Sequence, residues 1–390
     1  LSHMWDAMRD LKIDFKIGDL DARELVLTPD RQWVPIGELE VGDAVVDPDG
    51  ETSEVTGVYP QGVNQTYAVR LVDGTEVVAS GDHLWDVAWG SGKGRVLRTL
   101  STLQLKERLE TKTQAPEVVT SPGLAVQSLG DGDGRLDPYV LGLLLGDGCF
   151  RKTCPQFASA DQELVDSLEQ GLPEGLQFVI DTRRGKLVSG NISQRDGGGE
   201  NYPRRENPLT GFLRDVGLWG KLAHEKFVPE SFKWASAEDR LALLQGLMDT
   251  DGGINRGSAM FVSSSEQLRD DVLWLARSLG LVARGSDHAA YYTRSGGERV
   301  AGRRSYKARV WWTQDVPVFR LKRKADHPVP KPLLRKVKAI EPLDEVPTVC
   351  ISVSAQSERF VASSGFVPTH NSKSEVNKVT FFQLCQRASR

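Results

Sequence analysis

Thr369-His370-Asn371-Ser372 is a run of residues that can cut its own backbone. The Asn371 side-chain amide can attack its own carbonyl carbon and close a succinimide. His370 can protonate the amine that leaves, and the Ser372 hydroxyl can take over an acyl group. A second pattern occurs twice. Val140-Leu-Gly-Leu-Leu-Leu-Gly-Asp-Gly148 and Leu244-Gln-Gly-Leu-Met-Asp-Thr-Asp-Gly252 each read as an apolar helix ending at an acidic residue and Gly. Either pattern alone is weak, because short runs of this kind arise by chance.

The elements that must position these residues follow from the rest of the chain. Its 390 residues leave room for two or three domains, and 39% hydrophobic with 26% charged residues is ordinary for a soluble protein. No apolar run approaches the roughly 20 residues of a membrane span. The net charge of -4 argues against nucleic acid, but its distribution does not. Residues 291–340 hold 14 Lys/Arg against 3 Asp/Glu. Four cysteines, Cys149, Cys154, Cys350 and Cys385, are too few for a disulfide scaffold and suit a reducing, cytoplasmic setting. Cys149 and Cys154 lack the second close pair that a zinc site needs. Leu1-Ser-His-Met4 reads as a cloning remnant.

Residues 23–90 alternate with period two. Leu25–Thr28 and Val41–Val46 read as strands, and Tyr67–Val72 turns at Asp73-Gly74 into Thr75–Ala79 as a hairpin. Residues 100–111 read as helix, and Thr120 to Asp133 as a linker. From Asp137 the period becomes helical, with candidates at Pro138–Gly146, Asp161–Gln170, Ala237–Met248 and Ser265–Leu279. Strands Leu176–Ile180 and Gly257–Val262 lie between them, and 182–207 is a polar loop or hairpin. β character returns at Val349–Val353 and Arg359–Val361. A β domain split by an α/β insert must pair its halves in space, which would gather residues near 20, 83, 350 and 370.

Leu25-Val-Leu-Thr-Pro-Asp30 with Trp33-Val-Pro-Ile-Gly-Glu-Leu-Glu-Val-Gly-Asp43 resembles the opening block of an intein. Phe366-Val-Pro-Thr-His-Asn-Ser372 resembles its closing block, and Ser80-Gly-Asp-His83 the internal Thr-x-x-His block. The resemblance implies a horseshoe-shaped, mostly-β Hint splicing fold shared with hedgehog autoprocessing domains. Most inteins open with Cys or Ser. Here the family's spacing puts the first residue near Asp19, and no Cys precedes Cys149. Trp85, Cys350 and Thr369 instead resemble the signature of class 3 inteins, in which the internal Cys attacks the upstream junction directly. An unperturbed Cys is only a few percent thiolate near pH 7, so Cys350 needs activation. His83 would protonate the departing amine and Ser80 would hold the junction. Ser372 would then take the acyl group and Asn371 would cyclise with help from His370, with no cofactor required.

The two apolar runs resemble the paired LAGLIDADG motifs of homing endonucleases, 104 residues apart. The resemblance implies a pseudo-twofold helix pair in close contact through Gly142, Gly146, Gly246 and Thr250. It places Asp147 and Asp251 at its base as catalytic carboxylates that hold Mg²⁺. Gly217 to Pro229 resembles a block ahead of the second motif, where Lys226 would orient water or stabilise the scissile phosphate. Arg183, Arg184, Arg303, Arg304, Lys307, Arg309, Arg320, Lys322, Arg323 and Lys324 would contact double-stranded DNA, a target site lacking the intein.

The expected layout is residues 1–18 as tag and upstream flank, 19–128 and 337–371 as the two parts of a Hint domain, 129–336 as endonuclease, and 372–390 as downstream host fragment. Ser372-Lys-Ser-Glu375 faintly resembles part of a host ATPase or helicase. The protein is expected to be monomeric and without a membrane partner. Two rival readings stand beside this one. In one, a stand-alone DNA endonuclease or maturase carries a non-splicing β domain. The other, a hedgehog-like autoprocessing domain, needs an amino-terminal Cys.

Overall fold

The computed structural model describes residues 18–89, 96–111, 117–118, 134–184, 187–195, 207–289, 291–293, 297, 299–329 and 335–370. The chain divides into two compact units, Leu1–Thr120 with Arg335–Arg390, and Ser121–Leu334. The first unit opens with β1 (Leu20–Asp21), β2 (Leu25–Leu27), β3 (Trp33–Pro35), β4 (Ala44–Val46), β5 (Thr52–Leu71), β6 (Glu76–Ser80), β7 (Leu84–Trp89), β8 (Val96–Ser101), α1 (Thr102–Thr111) and β9 (Glu117–Val118). The insert continues with α2 (Pro138–Asp147), β10 (Gly148–Cys149), β11 (Gln156–Ser159), α3 (Gln162–Gly171), β12 (Leu176–Arg184), β13 (Leu187–Gln194), α4 (Pro208–Asp215), α5 (Glu230–Lys233) and α6 (Ala237–Asp251). It closes with β14 (Gly252–Asn255), β15 (Ser258–Ser263), α7 (Glu266–Ser278), β16 (Val282–His288), β17 (Tyr291–Thr293), β18 (Arg299–Ala301), β19 (Ser305–Trp311) and α8 (Lys322–Ala325). The first unit resumes as β20 (Arg335–Val353), β21 (Arg359–Ala362) and β22 (Val367–His370).

In the first unit the two halves of the sequence interleave. β20 runs antiparallel to β5 over most of its length, while β1 lies between β6 and β20, with Leu20 facing Ala79 on one side and Val349 on the other. β21 pairs with both β2 and β22. Alternation drives this arrangement. Val55, Val69 and Leu71 of β5 and Val349, Ile351 and Val353 of β20 enter one apolar core with Trp85 and Phe360. β5 passes through Pro60-Gln-Gly62. Gly62 takes φ +79° and the register against β20 shifts between Thr348 and Val349, so the strand bends there rather than ending.

The second unit contains the same pattern twice. α2–β10–β11–α3–β12–β13 and α6–β14–β15–α7–β16–β19 build sheets of identical order, β10-β11-β13-β12 and β14-β15-β19-β16. This internal repeat is the pseudo-twofold expected from the paired motifs. Asp137 caps α2 by accepting from the N–H groups of Tyr139 (2.7 Å) and Val140 (3.1 Å), with Pro138 in the first turn. Ser236 caps α6 through the N–H of Asp239 at 3.1 Å. α2 is buried continuously from Tyr139 to Leu145, so its apolar residues surround it rather than forming a stripe. The two motif helices meet at Gly142 and Gly246. A Cβ on either would lie 2.9 Å from the other's Cα, and a Cβ on Gly146 would run into the Thr250 side chain. Only glycine permits that approach.

Candidate functional site

In the first unit the two ends of the β domain converge on His83. A Cβ placed on Gly18 would lie 3.2 Å from the His83 Cα and 3.4 Å from its Nδ1. On the other side, His83 Nε2 is 2.6 Å from the Thr369 hydroxyl, and both residues are buried. Trp85 fixes the imidazole. Its ring meets the His83 ring edge to face at 4.9 Å, and its Nε1–H donates to the Thr102 hydroxyl at 3.0 Å. The Thr102 N–H in turn donates to the His83 carbonyl at 2.9 Å. Trp85 thus braces the His83 ring.

Asp19 sits between two strands. Its carbonyl accepts from the Ser80 N–H at 3.0 Å, and its carboxylate accepts from the Ser80 hydroxyl and from Asn64 Nδ2 (3.1 Å). Asn64 Nδ2 also donates to the Thr348 hydroxyl at 2.8 Å. Leu20 pairs with Val349 and Asp21 with Thr348, so the same register carried one step further sets Asp19 opposite Cys350. Period-two alternation then puts Asp19, Thr348 and Cys350 on one sheet face, with cross-strand Cβ atoms about 5 Å apart. Cys350 is buried, and its thiol contacts the Ile351 carbonyl at 3.5 Å. His370 pairs through its backbone with Arg359 in β22. Asn371 and Ser372 lie outside the described residues.

In the second unit Asp147 and Asp251 end the two motif helices, as the resemblance requires. Burial and the neighbouring Asp147 push the Asp251 carboxyl up to about 6, against the pull of Lys226 and Lys324. Asp147 keeps an exposed face, yet partial loss of hydration raises it too.

Lys226 is buried, so it is no solvated surface lysine. Its ammonium donates to the carbonyls of Leu144 (3.1 Å), Leu145 (2.8 Å), Gly146 (3.1 Å) and Gly148 (2.8 Å), at the negative end of α2. Lys324 does the same for α6, donating to Met248 (2.9 Å), Asp249 (2.7 Å) and Gly252 (2.6 Å). Burial lowers each lysine to about 8, against the attraction of nearby carboxylates that include Asp147 for both. The two clamps are equivalent under the internal repeat.

Lys324 therefore corrects the sequence reading: it is buried and spent on helix carbonyls, and it does not face solvent for DNA. Its partnership with Lys226 was missed, because the only trace in the sequence is a proline shortly after each lysine, Pro229 and Pro328. Arg320 is exposed but engaged by neighbours within the protein. It lies over the Tyr139 ring at 4.4 Å and donates from Nε to Gln245 at 2.6 Å. Arg323 is exposed but forms a two-pronged pair with Asp161 (2.8 and 2.7 Å), and Lys322 pairs with Asp326. Arg304 pairs with Asp287 at 2.7 Å. Arg303 is exposed. Lys307 and Arg309 lie on β19 opposite Ala308 and Val310, which face the core, and Arg309 pairs across the sheet with Arg284 of β16. That solvent-side face is basic. The matching face of the first repeat carries Gln156 bonded to Asn191 at 2.7 Å, and is polar but uncharged there. For Arg183 and Arg184 only the backbone, at the end of β12, is described.

The doubled sheet order, the glycine contact and the paired acids at the helix ends agree with an independent match. Residues 238–308 match the family model of the LAGLIDADG-like domain. Around this LAGLIDADG-like segment the chain as a whole has further relatives. It is 25% identical over 388 residues to the replicative DNA helicase DnaB of Mycobacterium intracellulare, covering 91% of this chain and 59% of that protein. It is 26% identical over 284 residues to the replicative DNA helicase DnaB of Synechocystis, covering 69% and 29%. The chain thus spans about three fifths or less of these relatives' length. Among solved structures it is similar to the MchDnaB-1 intein (11% identity, TM-score 0.30, 90% of this chain and 99% of that one). It is also similar to I-DmoI in complex with DNA and Ca (13% identity, TM-score 0.29, 45% and 81%). Among the described residues no helix is long and apolar enough to cross a membrane.

Proposed function

We propose that the chain is a self-excising intein of class 3 whose insert is a site-specific double-strand DNA endonuclease. The observation that carries the splicing half is the meeting of Gly18 and Thr369 at His83, with Cys350 one strand from Asp19. An amide is a poor acyl donor because its amine leaves badly. Cys350 Sγ attacks the Gly18 carbonyl, and His83 delivers a proton to the Asp19 nitrogen as the C–N bond breaks. Ser80 donates to the Asp19 carboxylate and keeps the junction in register. The Ser372 hydroxyl takes the acyl group from sulfur, Asn371 cyclises with His370 protonating the leaving amine, and an O-to-N shift joins the flanks. The flanks belong to a host protein, and the DnaB relatives support a helicase. Incubating the precursor at neutral pH and weighing the products tests this reading. Ligated flanks and an excised chain starting at Asp19 support it, and an intact precursor in every condition rejects it.

In the insert, the chemistry of Asp147 and Asp251 suits a hard divalent cation. Burial, and after it the charge of Asp147, raises Asp251 to about 6, so the two carboxylates gain from sharing a cation, and oxygen-only donors suit Mg²⁺. Such an ion supplies Lewis acidity and a more acidic water. The chain's own contribution is position. Lys226 and Lys324 hold the last turns of α2 and α6, and so hold both carboxylates where one phosphodiester can reach them. Arg284, Lys307 and Arg309 present a basic strand face to the duplex. Cleavage of intein-free host DNA by wild type, and its loss in Asp147→Asn and Asp251→Asn, is the test.

A further inference from the structure

We propose that the Asp19 carboxylate captures the ammonium that Asp19 itself acquires when the Gly18–Asp19 bond breaks, and so holds the upstream thioester against reversal. This deepens the splicing reading and rests on Cys350 as the attacking group. A carboxylate that is 3% exposed is costly unless its charge is answered. Among the described residues the donors that reach it, the Ser80 hydroxyl and Asn64 Nδ2, are neutral. They occupy two of about four lone-pair positions, so acceptor capacity remains. Asp21, by contrast, is answered by Arg23, through side-chain contacts of 2.7 and 3.0 Å.

The first step explains why such a residue belongs there. The Cys350 thiol and the Gly18–Asp19 amide become a thioester and a free amine. The C–S bond forms, the C–N bond breaks, and the thiol proton ends on nitrogen. Amines attack thioesters readily, so this step runs back unless the amine is protonated. A second proton, taken from solvent, makes the α-ammonium. That cation forms on the residue whose carboxylate lies beside it, in surroundings where water screens little. An α-amine titrates ordinarily at about 7.7–8.0. Holding its proton one pH unit further up makes reversal about tenfold slower at pH values below that range, and the difference disappears well above it. The groups around Asp19 are Ser80 at the end of β6, His83 before β7, Asn64 from β5, and Thr348 and Cys350 from β20. Of these His83 opposes the cation when charged, and Asp21 on the same strand is already matched by Arg23.

A precursor carrying Asn371→Ala and Ser372→Ala stops at the thioester, whose fraction can be read by rapid quench and mass spectrometry from pH 6 to 10. Asp19→Asn is expected to lower the ratio of thioester to precursor about fivefold near pH 8, by a factor rising towards about ten at pH 6 and vanishing towards pH 10, and to move its midpoint down by about one pH unit, with Asp19→Glu keeping most of the wild-type profile. A loss by the same factor at every pH, with the midpoint unmoved, overturns the proposal, since that is what a purely structural role produces. In the excised chain beginning at Asp19, the α-amine followed by ¹⁵N NMR should titrate about one unit higher than in the Asp19→Asn chain; equal titrations also overturn it. Upstream cleavage that persists in Cys350→Ala would sink the splicing reading itself. Cleavage abolished in Cys350→Ala, with an unchanged Asp19→Asn profile, would sink this inference alone.

Discussion

His83 Nε2 and the Thr369 hydroxyl lie 2.6 Å apart although 286 positions separate them in sequence. The contact ties the end of β22, next to Asn371, to the imidazole that also touches Gly18. The His83 imidazole therefore lies where the two ends of the domain meet. Thr369→Ala should slow upstream cleavage by about 10- to 100-fold, the range of a mispositioned general acid, and Thr369→Ser should recover most of it. Equal rates in wild type and Thr369→Ala, followed by gel densitometry of the precursor, would show that the hydroxyl is only packing.

The two buried lysines separate positioning from DNA contact. Lys324→Met should lower DNA cleavage by tenfold or more while leaving the salt dependence of DNA affinity unchanged, because its ammonium meets only helix carbonyls. Lys307→Ala and Arg309→Ala should each flatten the slope of log affinity against log salt by about 0.9. Fluorescence anisotropy across a salt series checks both. A flattened slope in Lys324→Met would return that residue to the DNA surface.

Glycine at the helix crossing opposes ordinary helix preference. Gly→Ala in a helix gains up to about 1 kcal/mol where there is room. In Gly246→Ala the new Cβ would lie 2.9 Å from Gly142 Cα, so overpacking wins and a net loss of about 2 kcal/mol or more is expected. Gly211→Ala in α4, with nothing within 4 Å, should be neutral or stabilising. Thermal melts of the two variants should move in opposite directions.

The acid pair gives a pH signature. Asp251 is raised to about 6 in the folded chain, first by burial and then by Asp147. Between about pH 4 and 6 the folded state holds a proton that the unfolded chain has lost, so stability falls as pH rises through that window. Asp251→Asn should then stabilise the insert by about 1–3 kcal/mol at pH 7–8 without metal, and give no gain below about pH 4. Chemical denaturation at the two pH values checks the sign. Apparent affinity for Mg²⁺ in wild type should weaken as pH drops through about 6.

Much of the site was legible because its chemistry needs particular residue types. Asn371 after His370, and Asp-Gly after two apolar runs, announce themselves. Helix limits were readable at Pro138 and Ser236, where caps mark them. The long strands were not, since the sequence showed only Tyr67–Val72 of β5, and pairing with the distant β20 carries that strand from Thr52 to Leu71. Charge density was misleading along 320–324. Lys324 faces inward, and the exposed Arg320 and Arg323 are engaged by Gln245 and Asp161, partners distant in sequence. A composition count cannot separate such residues from Lys307 and Arg309, which share a solvent-side strand face. The Asn64–Asp19 and Ser80–Asp19 bonds were hidden for the same reason: they span 45 and 61 residues.

The most direct measurement is the upstream product of the Cys350→Ala precursor, followed by intact-mass spectrometry at neutral pH. With the sulfur removed, release of the fragment ending at Gly18 is expected to fall below detection, while Asn371 cyclisation continues at a reduced rate. Wild-type release of that fragment in Cys350→Ala would contradict the account, because another group would then be breaking the Gly18–Asp19 bond.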